Sequence, residues 1–293
     1  MTSAVVALGV AVAFCFGTSD YLSKGLTGQV GSYRTTVYTL ALSGLFVAGP
    51  SLLLGVPKAL TLEDVGLLVG VALSTYAAFF LMYTGYRKGN IAVVSPIVNS
   101  FPVFSVVFAV LVLKVSVSSD VLVAIGGVIA GILLVSTNFS ALGASKVRKF
   151  TPGLPEGILA AFFFAVGFTL LGYADVTMGY LLPVVSARLG AASVGFLAGI
   201  TLKQELRPPR GRSLQRVLAM GAFEAGGLLC FSLALISSAT IGVLPIITTL
   251  AGMGVVFTVG YATYFYREKV ELNYALGIGM LIASVTALLY LTA

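Results

Sequence analysis

Glu224 stands in the run AMGAFEAGGLL, with alanine, glycine, phenylalanine and leucine on either side. A charged side chain at the centre of a lipid bilayer costs at least about 2.5–3.5 kcal/mol on insertion scales, so such a group faces a bundle interior or water. Desolvation disfavours its charged form unless a cation compensates. Three uses follow: a protonatable coupling site, an anchor for the cationic group of a substrate, or one half of an ion pair with Arg188 that only fixes helix packing. Arg188 is itself well inside an apolar stretch, VVSARLGAAS. Asp20 and Lys24 stand one helical turn apart in FGTSDYLSK. Their order suits an i, i+4 pair worth about 0.2–0.5 kcal/mol on an exposed helix. Thr18, Ser19 and Tyr21 make that stretch polar beside Gly17, the pattern of a helix that lines a wet cavity. Arg34 falls near the start of the next apolar run, where it can snorkel to the interface.

Other residues suit motion or packing better than charge chemistry. In SPIVNSFPV, Pro96 and Pro102 remove backbone donors, while Asn99 and Ser100 can replace some of the lost hydrogen bonds. Pro245 is the counterpart further on, in GVLPIITT. These prolines are candidate gate hinges, or equally static kinks. Tyr76, Tyr83 and Tyr86 can stack on an aromatic or cationic substrate, although packing is the commoner use of such rings. The segments GLLVG, GVIAG and GFLAG fit close helix approach through small residues. No GxxxxGK[ST] phosphate loop, HExxH or CxxC occurs, and the chain has no histidine. ATP hydrolysis, a histidine metal site and a protease dyad therefore find no support, and no cofactor or metal is expected.

The elements that carry these residues follow from composition. The chain has 293 residues, 58% hydrophobic and 9% charged, with a mean hydropathy of +1.06. A soluble domain carries about a quarter charged residues. Two cysteines are too few for a disulfide scaffold, and the apolar content is too high for a disordered chain. Ten apolar stretches recur, at 3–24, 32–55, 64–85, 91–113, 119–138, 154–175, 179–202, 216–237, 240–265 and 272–292. Each is close to the roughly 20 residues that a helix needs to span a hydrocarbon core of about 30 Å. The first lacks the basic start and small-residue cleavage site of a signal peptide. The expected fold is therefore an all-α integral membrane protein with ten transmembrane helices. The connections are too short to hold a soluble catalytic domain.

A polar stretch, SALGASKVRKFTP, divides the ten spans into two sets of five. AFCFGTS from Ala13 aligns with FFAVGFT from Phe163, setting Gly17 on Gly167 and Ser19 on Thr169. Arg34 aligns with Arg188, Pro96 with Pro245, Asn99 with Thr248, and IGGVIAGILL with GIGMLIASVT. Because five is odd, the second copy enters the membrane from the opposite side, which makes an inverted repeat around a midplane site. The expected organisation is a first repeat over 1–139, a linker over 140–152 and a second repeat over 153–293.

FGTSDYLSK with Arg34, TGYRKGNIAVVSPI and YREKV resemble the drug/metabolite transporter superfamily, EamA type. The resemblance covers nearly the whole chain and departs from the family pattern at Phe16, where the family carries Trp, and after the fourth span, where an acidic residue is missing and Lys114 is nearby. It implies ten helices, a central cavity lined by both halves, and secondary transport without nucleotide hydrolysis. The function expected is transport of a small metabolite or amphipathic organic compound by alternating access, as proton-coupled export or exchange, not an enzymatic activity. The rival is a non-transporting membrane scaffold or partner subunit. The expected partners are the small-molecule substrate and the bilayer of the cell membrane, with the chain as monomer or homodimer. The net charge of +7 does not indicate nucleic acid, because the basic residues sit in short membrane-flanking loops. Fourteen lysines and arginines flank the connections after odd spans, against Lys58 and Lys114 on the other side. The positive-inside rule then places both termini outside, whereas the resemblance implies both in the cytoplasm; the loop charges are followed here.

Overall fold

The computed structural model describes every residue except 1, 24, 55–59, 90, 137–151, 239, 267–271 and 292–293. Lys24 and nearly all of the expected linker lie outside the described residues. Those described are helical, without a strand among them. In chain order the helices are α1 Thr2–Ser23, the short α2 Leu26–Val30, α3 Ser32–Leu54, α4 Leu62–Lys88, α5 Ile91–Val98, α6 Phe101–Leu111 and α7 Ser119–Ser136. The second half holds α8 Leu154–Met178, α9 Leu181–Thr201, α10 Arg212–Ser238, a 3₁₀ turn Ile241–Val243, α11 Leu244–Gly252, α12 Gly254–Tyr266 and α13 Leu272–Leu291. Helix covers each of the ten apolar stretches. Six segments, α1, α4, α8, α9, α10 and Ile241–Thr258, are long and apolar enough to cross a membrane, and shorter apolar helices accompany them.

Local chemistry sets several ends. Thr61 caps α4 in a reciprocal box: its hydroxyl accepts from the Asp64 N–H, and Asp64 accepts from the Thr61 N–H. Pro155 opens α8 after Gly153, and Gly179 closes it, both glycines with positive φ.

The polarity is that of a protein whose solvent is lipid. Leu62, Val123, Leu197 and Ile282 are largely exposed, while Ser19, Thr35, Thr36, Thr39, Ser43, Ser105, Ser232, Thr248 and Thr249 are fully buried. Several of these hydroxyls donate to a carbonyl one turn back, as Thr36 does to Ser32 (2.9 Å) and Thr248 to Leu244 (2.7 Å). Such bonds let small polar side chains pack between helices where no water is at hand.

The halves interlock. α1 lies along α10, and α4 along α8; α1 also touches α11 and α12, and α8 touches α5 and α6. α3 packs on α9, α7 on α13, and α6 on α11. Contacts at glycines give the directions. Gly44 of α3 meets Leu189 and Tyr33 meets Gly199, so α3 and α9 run antiparallel. Gly127 meets Ser284 and Gly131 meets Leu281, so α7 and α13 are antiparallel too.

The fourth and ninth stretches, expected as single bending helices, are broken. Between α5 and α6 the chain turns at Asn99–Ser100, ahead of Pro102, whose missing N–H cannot serve the preceding turn. The second break falls at Met253, between α11 and α12. The two breaks meet: a Cβ on Gly252 would lie 2.6 Å from Pro102 Cγ and 3.1 Å from the Asn99 carbonyl oxygen.

Candidate functional site

Arg188 and Glu224 form a buried ion pair, Nη2 to Oε2 at 2.9 Å, with side chains 2% and 5% exposed. The same Nη2 donates to the Glu224 main-chain oxygen at 3.3 Å. The guanidinium carbon sits 5.0 Å from the centre of the Phe79 ring, in cation–π range. Arg188 Nε has no partner. A π-helical turn, Ser186–Gly190, carries Arg188 within α9. Such single wide turns add a residue and re-aim the side chains they hold, and they gather at functional sites. Ser186 ties this turn to α4 by donating to the Leu68 carbonyl at 2.8 Å.

The pair faces a cavity with about 420 Å³ of atom-free space, of which about 40 Å³ admits the centre of a water molecule. It is therefore a narrow slot. Phe16, Phe79, Phe101, Phe164, Phe168 and Met82 supply its apolar wall. Asp20, Asn99, Arg188 and Glu224 are its polar members. Asp20 lies beside Asn99 and Tyr86 and within electrostatic reach of Glu224. Asn99 spends its amide N–H groups on the preceding turn, donating to the Ser95 carbonyl at 2.9 Å and to the Ser95 hydroxyl at 3.2 Å. With all groups ionised, the described residues of this wall carry two carboxylates against one guanidinium.

The candidates from the sequence separate into groups. Glu224, Arg188, Asp20 and Asn99 come together at the cavity, and fully buried Ser19 lies against Glu224. Tyr83 stands behind the wall, its ring tilted 59° to that of Phe79 with centres 5.9 Å apart, and within electrostatic reach of Asp20, Arg188 and Glu224. Thr18 points elsewhere, donating to the Phe14 carbonyl at 2.7 Å and sharing a hydrogen bond with Tyr261 at 3.2 Å. Tyr76 stacks on Phe80 and packs at Gly195, away from the cavity. Arg34 lines a separate basin at the helix ends with Arg87, Lys203 and Glu205. Its alignment with Arg188 thus does not carry over into space, since it sits two residues into α3 and Arg188 seven into α9. Pro96 lies within α5 and Pro102 follows the first break. Pro245 occupies the first turn of α11, where a proline is tolerated, and the second break is at Met253 instead. Phe79, the aromatic partner of Arg188, was not singled out from sequence. Its signal was its place one turn from both Tyr76 and Tyr83 on α4.

Residues 3–137 match the EamA-like transporter family. The match lies within the first half of the chain, which is similar to that family. The family is part of the drug/metabolite transporter superfamily, whose members are membrane transporters rather than enzymes. No curated protein matches the sequence. Among 29 matching chains of solved structures is one described as "Crystal structure of protein", which superposes on 98% of this chain and 96% of its own at a TM-score of 0.74, with 16% identity. That likeness shows a fold in common with that structure over both halves. The family match and the six long apolar helices indicate an integral membrane protein, and the match supports a membrane transporter of small molecules.

Proposed function

We propose that the chain is a secondary active transporter that carries a small amphipathic organic compound or metabolite across the cell membrane by alternating access between two inverted five-helix repeats. The packing supports this reading. Exchanging each helix of the first half for its counterpart in the second turns the α1–α10 contact into α8–α4, and the α1 contacts with α11 and α12 into those of α8 with α5 and α6. It leaves α3–α9 and α7–α13 unchanged. Counterparts that run antiparallel, as α3 with α9 and α7 with α13 do, are what inversion requires.

The observation that carries the function is the aromatic slot at the crossing of the halves, with Arg188, Glu224 and Asp20 in its wall. Arg188 orients an anionic group of the substrate or counterbalances Glu224. The remaining carboxylate takes the substrate's cationic group or a coupled proton, in export or in exchange. The facing breaks at Asn99–Ser100 and Met253 let α5–α6 and α11–α12 flex as gates. A membrane scaffold needs no polar cavity between its halves, so the slot favours transport over that reading.

The test is flux in proteoliposomes under a pH gradient, comparing the unaltered protein with Glu224→Gln. Loss of gradient-driven flux is expected. Flux at the unaltered rate removes Glu224 from the mechanism.

A further inference from the structure

The central slot does not use another carboxyl that the fold buries. Asp175, in the last turn of α8, is 1% exposed, and neither carboxyl oxygen has a hydrogen-bond partner among the described residues. The Ser232 hydroxyl of α10 faces it, fully buried and likewise without a closed hydrogen bond. A carboxyl sealed in apolar surroundings, with one hydroxyl facing it, is costly to bury as an ion.

Its place in the bundle gives that carboxyl a meaning. Phe164, Phe168, Leu171 and Asp175 recur at spacings of four, three and four on α8 and so share one face. Phe164 and Phe168 belong to the slot; Asp175 lies two turns beyond. On α10, Glu224 belongs to the slot, and Leu228, Phe231 and Ser232 follow. Between the two layers, Phe168 packs on Phe231 with ring centres 4.8 Å apart. Leu171, Leu228, Leu235 and Leu244, all 2% exposed or less, join them in one apolar core. Gly172 lets this plug close: a Cβ there would lie 2.8 Å from Leu244 and 3.4 Å from Leu235. The plug therefore separates the Arg188–Glu224 layer from the Asp175–Ser232 layer.

Other titratable groups stand near this end, and Tyr180 and Cys230 pack against the same apolar core. Tyr173 of α8 is exposed, Tyr180 stands before α9, and Cys230 is on α10. At the start of α4, Glu63 is exposed and Asp64 is engaged with Thr61. The 3₁₀ turn and the start of α11 bring only Ile241, Val243 and Leu244.

We infer that Asp175 is a proton-binding site of the gate at this end of the transporter: it holds a proton while the plug is closed and gives it to water when the plug parts. The inference rests on the alternating-access reading above and adds a second ionisable layer to it. No covalent bond other than O–H changes; the carboxylic acid becomes a carboxylate, and the proton leaves to the solvent on that side. Because the closed state binds one more proton than the open state, raising the pH favours opening. The open fraction grows by about tenfold per pH unit while it is small.

The experiment uses the full chain in lipid nanodiscs. Infrared spectroscopy at neutral pH is expected to find a protonated carboxyl stretch that Asp175→Asn removes and Asp175→Glu shifts. Hydrogen exchange over 171–180, corrected for the intrinsic pH dependence of amide exchange, is expected to rise from pH 6 to pH 8. Asp175→Asn abolishes that slope, and Ser232→Ala keeps it with a displaced midpoint. Carboxyl spectra that do not differ between the unaltered protein and either Asp175 variant overturn the inference, whether or not Asp175→Asn folds. So does an unchanged exchange slope in Asp175→Asn. Flux in proteoliposomes without the band refutes this inference alone. The band and a pH-linked opening without flux refute the transport reading alone.

Discussion

Removing one partner of the Arg188–Glu224 pair leaves the other charge in a place built for two. Both side chains are at most 5% exposed, so water cannot replace the missing partner. Breaking a buried pair in this way costs about 3–5 kcal/mol. Arg188→Met lies at the upper end, because it also forfeits the Phe79 contact, worth about 0.5–2 kcal/mol. Glu224→Leu lies at the lower end, because the guanidinium keeps its bond to the residue-224 carbonyl oxygen and its ring. The double variant removes both charges at once. Replacing a buried pair by apolar side chains of similar volume is often neutral or stabilising, so the double variant is expected within about 1 kcal/mol of the starting protein. The coupling between the sites is then about 3 kcal/mol or more.

The assay is SDS titration in mixed micelles. It is followed by helical circular dichroism, since the chain has no tryptophan. The same four proteins go into proteoliposomes. If the pair handles substrate, the double variant is stable and inactive; if it only fastens α9 to α10, the double variant is stable and active. Single variants that each lose less than about 1 kcal/mol, or a double variant as weak as the sum of the singles, refute the claim that the pair is sealed from water.

Gly17→Ala sets a Cβ against the Gly254 carbonyl oxygen and must push α1 from α12, costing about 1–3 kcal/mol, whereas Gly28→Ala, with nothing within 4 Å, stays within about 0.5 kcal/mol; thermal unfolding in detergent compares them. Gly252→Ala intrudes on Pro102 and the Asn99 carbonyl oxygen where the two breaks meet, and a barrier raised by about 1.4 kcal/mol slows flux about tenfold; an unchanged rate argues against motion at the breaks. Lys88→Ala removes a pair at 2.6 Å whose lysine is 56% exposed, and its expected cost is below about 1 kcal/mol in the same unfolding assay. A reporter fused after Ala293 is expected outside the cell from the loop charges, and a cytoplasmic signal reverses the assignment.

The helices were legible because apolar length is a direct physical demand of lipid, and the ends of α1 and α3 fall within a residue or two of the hydropathy limits. Glu224 and Arg188 were legible for the complementary reason, since a charge in such a stretch needs a partner. What a single sequence does not contain is which faces converge. Thr18 and Ser19 are neighbours, yet a turn of about 100° per residue sends one to Tyr261 and the other to Glu224. The break at Asn99–Ser100 was marked by Pro102; the break at Met253 has no proline, only Gly252 and Gly254 on either side. The π turn in SARLG has no residue signature at all, although it carries Arg188. Asp175 is the last residue of the apolar stretch 154–175, and only the packing of Leu235 and Leu244 around Gly172 reveals a sealed end there.

These misses share a cause that bears on how the bundle works. In a soluble protein a buried hydroxyl is an exception and the surface is polar; here large apolar side chains face outward, and many hydroxyls are buried beside the apolar core. Association of helices then rests on close packing and short hydrogen bonds rather than on expelling water. Such contacts are individually small, and they sit at glycines and at Ser or Thr, which any helix of this composition offers. The contacts at Gly17, Gly44, Gly131 and Gly252 are therefore specified by shape. Shape contacts of that kind are also the ones that two related halves can exchange for alternatives at little net cost. The charged slot needs the opposite property, a fixed arrangement. It obtains this from the π turn, the bond from Ser186 to Leu68 and the stack on Phe79, which tie Arg188 to α4 as well as to α10. The prediction that follows is a division of labour: substitutions at the glycine contacts change rates of interconversion, while substitutions around Arg188 change binding. Flux measured at saturating and at limiting substrate separates the two, and a glycine variant that alters only apparent affinity contradicts it.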